Sequence, residues 1–251
     1  MTFRKTTASL VALSALIYAS GASAFSYSEN FESLDPNDPD ALGNSGWLVG
    51  GIVTNSSANG NYDYFAFPAP NGQAAFSGIA TDQGGPDQGA NQLVVYGDYN
   101  NTDHADSTAV LTAVVFNSVG MLELSDVGKT YTFSFDVKQG NIADPSFADA
   151  FINIQKTSDG SFDSLAYTSA EVEYVGTLWT RLALSITIEE SFVGETFTIG
   201  FQNTTFGVGP KNDFNPTGMV YDNLNVSAVP LPGAVWLMLS GVAFLFGRRK
   251  A

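Results

Sequence analysis

One histidine, no cysteine and 25 carboxylates bound the chemistry open to this chain. His104 stands in the polar loop sequence Asp98-Tyr99-Asn100-Asn101-Thr102-Asp103-His104-Ala105-Asp106, so a His-based triad would have to be built on that loop. There is no G-x-S-x-G elbow and no H-E-x-x-H zinc motif. Paired carboxylates can hydrolyse glycosides. With acids this abundant, however, some pair always falls at a workable spacing, and an acid outside a cleft usually serves solvation. The residues give no positive sign of an enzyme.

Metal chemistry is better served. In Val220-Tyr221-Asp222-Asn223-Leu224-Asn225-Val226, strand alternation puts Asp222 on the same inward face as Val220, Leu224 and Val226. A carboxylate there must be paired or must ligate a cation; the competing reading is a turn cap at a sheet end. The loop from Asp98 to Asp106 also offers closely spaced oxygens. It lacks the glycine and terminal glutamate of an EF-hand loop, so it reads as a solvated loop. A third kind of candidate is aromatic. Tyr62 and Tyr64 in Asn61-Tyr62-Asp63-Tyr64-Phe65-Ala66-Phe67, with Trp47 and Tyr99, lie among polar residues. Rings beside carboxamides and carboxylates are what a sugar site uses, although large rings are more often buried.

These residues must be positioned by strands. Tyr131, Phe133, Phe135 and Val137 alternate with Thr and Ser; Leu182, Leu184, Ile186 and Ile188 repeat the pattern, as do Phe197, Ile199 and Phe201. Each is a period of two, with one face for a core and one for water. Residues 73–80, 91–97, 108–116, 149–156 and 218–227 read as further strands. Asn117 to Gly128 reads as holding a helical turn. Gly, Asn, Asp and Pro clusters separate the strands. Many short strands with polar turns predict an all-β fold, a jelly-roll β-sandwich of two antiparallel sheets.

Composition narrows the partners. All 25 acidic residues, but only five of the ten basic ones, lie between residues 25 and 227, a formal charge of −20. That excludes nucleic acid and anionic membrane surfaces as direct partners and favours cations. A body without disulfides must rely on core burial, which a domain of this size can supply.

The ends read as addresses. Arg4 and Lys5, the apolar run Leu10 to Ala19 and the small residues Ala22-Ser23-Ala24 follow the order of a secretory signal peptide, residues 1–24, for signal peptidase. At the other end, residues 228–251, Val229-Pro230-Leu231-Pro232 precedes a short apolar run, Ala234 to Phe246, and then Arg248, Arg249 and Lys250. The run is short for a span of about 20 residues, and the basic end acts as a positive-inside stop.

Two resemblances follow from these motifs. The C-terminal segment resembles a PEP-CTERM sorting signal of the VPLP type, with Leu231 where glutamate is usual. The resemblance implies an exosortase as partner, transient residence in the inner membrane through the C-terminal hydrophobic helix, and final location at the cell surface or extracellular matrix. Glu29-Asn30-Phe31-Glu32, Gly46-Trp47 and the Asp222 strand resemble the two ends of the jelly-roll carbohydrate-binding-module and galactose-binding-like superfamily. That resemblance implies a structural Ca²⁺ joining first and last strands, held by Glu32 and Asp222, with Glu29 as the alternative to Glu32. Oxygen ligands suit calcium. The expected function is an exported, non-enzymatic cell-envelope or matrix protein. The alternatives are a calcium-stabilised carbohydrate-binding module for extracellular polysaccharide and a degenerate glycan-active enzyme.

Overall fold

The computed structural model describes residues 24–56, 60–71, 76–97, 108–208, 213–214 and 217–229. Two antiparallel sheets face each other. The first runs β10 (Thr180–Thr187), β7 (Thr130–Gln139), β13 (Met219–Val229), β5 (Gln92–Val95), β4 (Ser77–Ala80), and β1 (Tyr27–Glu29) also pairs with β13. The second runs β3 (Gly60–Pro68), β2 (Trp47–Ser56), β6 (Val110–Met121), β11 (Thr196–Val208), β8 (Phe147–Gln155), β9 (Ser164–Glu171), with β12 (Asp213–Phe214) on β11. From β5 onward the chain passes back and forth between the sheets, as a jelly-roll sandwich requires.

The core lies between them, built by the alternation visible in the sequence. Tyr131, Phe133, Phe135 and Val137 on β7 meet Phe197, Ile199 and Phe201 on β11, all fully buried. The Phe201 and Tyr221 rings stack at 3.7 Å and tie one sheet to the other. Each such ring contributes about 2–3 kcal/mol by leaving water. The core extends to the first described residues, where Phe25 stacks on Tyr131 at 4.6 Å.

Several elements depart from the sequence expectation. β2, β3 and β9 are strands that the alternation did not mark. The segment from Asn117 continues as β6 to Met121, and only Leu124–Asp126 form a 3₁₀ turn. A four-residue helix, α1 (Ala41–Asn44), precedes β2. β13 runs to Val229, two residues past the expected end of the body at 227. Pro230 has no N–H to continue the ladder.

The largest departure is a bulge in β13. Pairing with β7 shifts between Asp222 and Asn225, and Asn223 adopts a left-handed φ of 50°. The alternation therefore flips. Tyr221, Leu224 and Val226 enter the core, while Asp222 pairs with Asp136 on the opposite face. Asp222 does not share the face of Leu224 and Val226 as expected. It is buried from the other side, next to a site covered by the loop preceding β5.

Candidate cation site and surface clefts

Asp222 is 1% exposed. Its Oδ1 accepts the Asn223 N–H at 2.6 Å, and its Oδ2 has no hydrogen-bond partner. Burial pushes the carboxyl up; the Asn223 N–H offsets part of this, and the negative charges of Glu32, Asp136 and Glu29 add to it, for a pKa of about 7. A buried carboxylate with an orphaned oxygen is costly unless it is protonated or meets a cation.

Asp136, its cross-strand neighbour, is fully engaged. Oδ1 accepts from Arg181 at 3.0 Å; Oδ2 accepts from Gln88 Nε2 at 2.9 Å and Asn223 Nδ2 at 2.8 Å. Burial pushes this carboxyl up too, but the hydrogen bonds from Asn223, Gln88 and Arg181 outweigh it and hold the pKa below the ordinary value. Gln88 and Asp87 anchor the covering loop, for Asn223 Nδ2 also donates to the Asp87 carbonyl at 2.9 Å.

The expected glutamates approach from the N-terminal side. Glu32 Oε1 accepts the N–H groups of Ala90 and Asn91 at 2.8 and 2.7 Å. Gly89, at a φ of 56°, packs so closely that a Cβ there would lie 2.5 Å from Glu32 Oε1. Glu29 Oε1 accepts the Phe31 N–H at 2.7 Å. Phe31 takes a left-handed φ of 58°, uncommon for a bulky residue. Of the two glutamates, Glu32 acts more strongly on Asp222. Among the described residues no three His, Asp or Glu side chains converge closely enough to hold an ion. A calcium ion on Asp222 would therefore need backbone carbonyls beside the carboxylates, which calcium accepts. The orphaned Oδ2 fits such an ion.

The aromatic candidates fare differently. Trp47 is fully buried, 6.0 Å from Phe31 and 6.4 Å from Phe201 between ring centroids. It is a core residue, and this corrects its expected place in a sugar site. Tyr62 and Tyr64 face inward at the edge of the second sheet, opposite Val53 and Gly51. Both are half-buried and pack on Val53, Ala109 and Leu111. The Tyr64 ring covers Gly51 so tightly that a Cβ there would lie 2.3 Å from it. Tyr99, His104, Pro230, Leu231, Pro232, Arg248 and Arg249 lie outside the described residues; Val229 is the half-exposed last residue of β13. Among the described residues no helix is long and apolar enough to cross a membrane.

Among the described residues, clefts open on the surface, three of them notable. One, about 330 Å³, adjoins the Asp222 site and is lined by Ser28, Glu29, Asn30 and Arg181. A second, about 310 Å³, gathers Asp144, Asp149, Glu171 and Glu173 beside Tyr174. Asp149 accepts from Gln202 at 3.0 Å and Glu173 from the Ala148 N–H at 3.3 Å. Tyr174, 77% exposed, was not singled out in the sequence, because nothing in Glu173-Tyr174-Val175 distinguishes it from a loop residue. The third cleft, about 510 Å³, lies on the outer face of the first sheet.

No family model and no curated protein matches the chain. Some solved structures are similar to it at a distance. The CBM22-1 xylan-binding domain from Paenibacillus barcinonensis is 12% identical, with a TM-score of 0.37, covering 62% of this chain and 82% of that one. A Stig cyclase from Fischerella sp. TAU is 12% identical, with a TM-score of 0.46, covering 83% and 100%. An α-L-arabinofuranosidase is 14% identical, with a TM-score of 0.47, covering 84% of this chain and 28% of that one. These proteins differ in activity, and a likeness so distant assigns none of them to this chain.

Proposed function

We propose that this chain is an exported, non-enzymatic protein of the cell envelope or extracellular matrix, delivered through signal peptidase and an exosortase-type system. The observation that carries this reading is the sequence order at the C-terminus: Val229-Pro230-Leu231-Pro232, the apolar run, then Arg248-Arg249-Lys250. The body's charge of −20 supports work outside the cell, away from nucleic acid. Replacing Pro230 and Pro232 with alanine in the native host should accumulate uncleaved precursor in the inner membrane. Intact-mass measurement of the released protein should show Arg248 to Lys250 missing. A matrix-bound form that keeps those residues overturns exosortase sorting in favour of a plain membrane anchor.

A second reading, a calcium-stabilised carbohydrate-binding module, is favoured by the orphaned Asp222 Oδ2 and by open clefts lined with carboxylates and carboxamides. Calcium would brace β1 and β13 through Glu32 and Asp222, and the clefts would take the sugar. Affinity electrophoresis against neutral and acidic polysaccharides, with calcium present, should retard the protein. Unchanged mobility on every glycan leaves the structural matrix role alone.

A further inference from the structure

We propose that the cleft on the outer face of the first sheet takes the carboxylate of an acidic sugar unit, with Lys138 as its anion-binding residue. The inference rests on the glycan-binding reading and narrows it to polysaccharides bearing uronate-type groups. At about 510 Å³ the cleft has room for a sugar ring, and Val94 and Val220 give it an apolar floor while Gln83, Gln139 and Asn141 supply polar groups. That mixture suits a sugar, whose ring has an apolar face and a hydroxyl rim.

The charge pattern selects the kind of sugar. Lys129, Lys156 and Arg181 each lie within ion-pair reach of an aspartate, at 3.3, 2.5 and 3.0 Å. Lys138, among the described residues, has no such partner. Its Nζ donates to the Gln83 carbonyl at 2.7 Å and lies 5.1 Å from the centre of the Trp179 ring. The Trp179 N–H donates to the same carbonyl at 3.2 Å, so indole and ammonium are fixed on one point. An ammonium has three donors, and the others are open to a ligand oxygen.

In a body this acidic, a cleft cation with no carboxylate in ion-pair reach among the described residues leaves its strongest interaction to a ligand. A neutral sugar cannot supply it; a sugar carboxylate can, through a charge-assisted hydrogen bond. Asp82 also lines the cleft, with its Oδ1 accepting from the Gln83 amide at 3.0 Å. One ammonium with an aspartate nearby suits a monoanionic carboxylate better than a phosphate dianion.

The test is calorimetric titration of the purified protein, at one fixed calcium concentration, with hexagalacturonate, its methyl ester and neutral xylohexaose. The acid form should bind about tenfold or more tighter than the ester, the scale of one charge-assisted contact. Lys138→Gln should remove that preference, Lys138→Arg should retain it, and matching melting curves should show both variants folded. Equal binding of acid and ester, or a preference that survives Lys138→Gln, overturns the Lys138 assignment and leaves glycan binding standing. If none of these or a wider set of neutral and acidic polysaccharides binds, the glycan reading falls, and this inference with it.

Discussion

Asp136 and Asp222 are the same residue type, paired across adjacent strands and both buried, yet they are in opposite states. Asp136 receives three side-chain donors, from Arg181, Gln88 and Asn223, and its carboxyl is held below the ordinary value. Asp222 receives one backbone N–H, keeps an unpartnered oxygen and is held at about 7. Burial raises both, so the difference lies in the partners. Asp136 is a finished structural joint between β7, β10, β13 and the covering loop. Asp222 keeps one buried oxygen that no hydrogen-bond donor reaches, a place the calcium proposal would fill.

The largest effect is expected from breaking the finished joint. Asp136→Ala strands the donors of Arg181, Gln88 and Asn223, and should cost about 3 kcal/mol, since removing one partner of a buried network exposes the desolvation of the rest. The melting temperature should fall by roughly 10 °C. A loss within the error of a surface substitution would mean that the joint is not formed in solution.

The next effect is one of pH, with opposite signs for the two residues. Asp222's folded pKa, about 7, lies above its unfolded value. Its stabilising contribution is therefore fully present below pH 4 and lost as pH rises through 7. Asp136's folded value is depressed, so its contribution is present above the unfolded value and lost only as pH falls through the folded one. In calcium-free buffer, acidifying from pH 8 to 5 should raise the melting temperature. Asp222→Asn should flatten that slope and stabilise the metal-free protein at pH 8 by about 1–3 kcal/mol, since each pKa unit is worth about 1.4 kcal/mol. A slope unchanged in Asp222→Asn would place the titrating group elsewhere.

The smallest effects separate the two glutamates. Glu32→Gln and Glu29→Gln each remove one negative charge near Asp222 while keeping an acceptor for the backbone N–H groups that the glutamate holds. Both should lower the midpoint of the pH slope by less than one unit, Glu32→Gln by more, because Glu32 acts more strongly on Asp222. The reverse order would move the N-terminal ligand to Glu29.

What the sequence made legible follows from how regular each element is. β7, β10 and β11 alternate cleanly and were readable. β2 was not, because Gly50 and Gly51 interrupt its pattern; Gly51 is there to admit the Tyr64 ring. β3 was hidden because its register shifts against β2, which breaks the period in a nearly continuous aromatic run. β9 turns only small residues such as Ala166 and Ala170 toward the core, too weak a signal for periodicity. Asp222 stood out by chemistry, but its direction was misread, because alternation assumes an unbulged strand. The hint was Asn223, a residue type that tolerates left-handed backbone. Asp136, Gln88 and Arg181 could not be found, since their meeting depends on pairing between segments far apart in sequence. Trp47 went astray because a Gly-Trp step looks alike in a core and in a binding site.

The proposal that calcium sits on Asp222 is tested most directly by a thermal melt at pH 7.5. Titrating calcium into EDTA-treated protein should raise the melting temperature by several degrees, because ligand at a hundredfold excess over Kd adds about 2.7 kcal/mol. Magnesium should do so poorly, since it demands a tighter octahedral shell, and Asp222→Asn should lose the response while keeping the fold. A melting curve indifferent to calcium, or an Asp222→Asn variant that responds in full, would contradict the account and leave Asp222 as a buried acid that titrates without a metal.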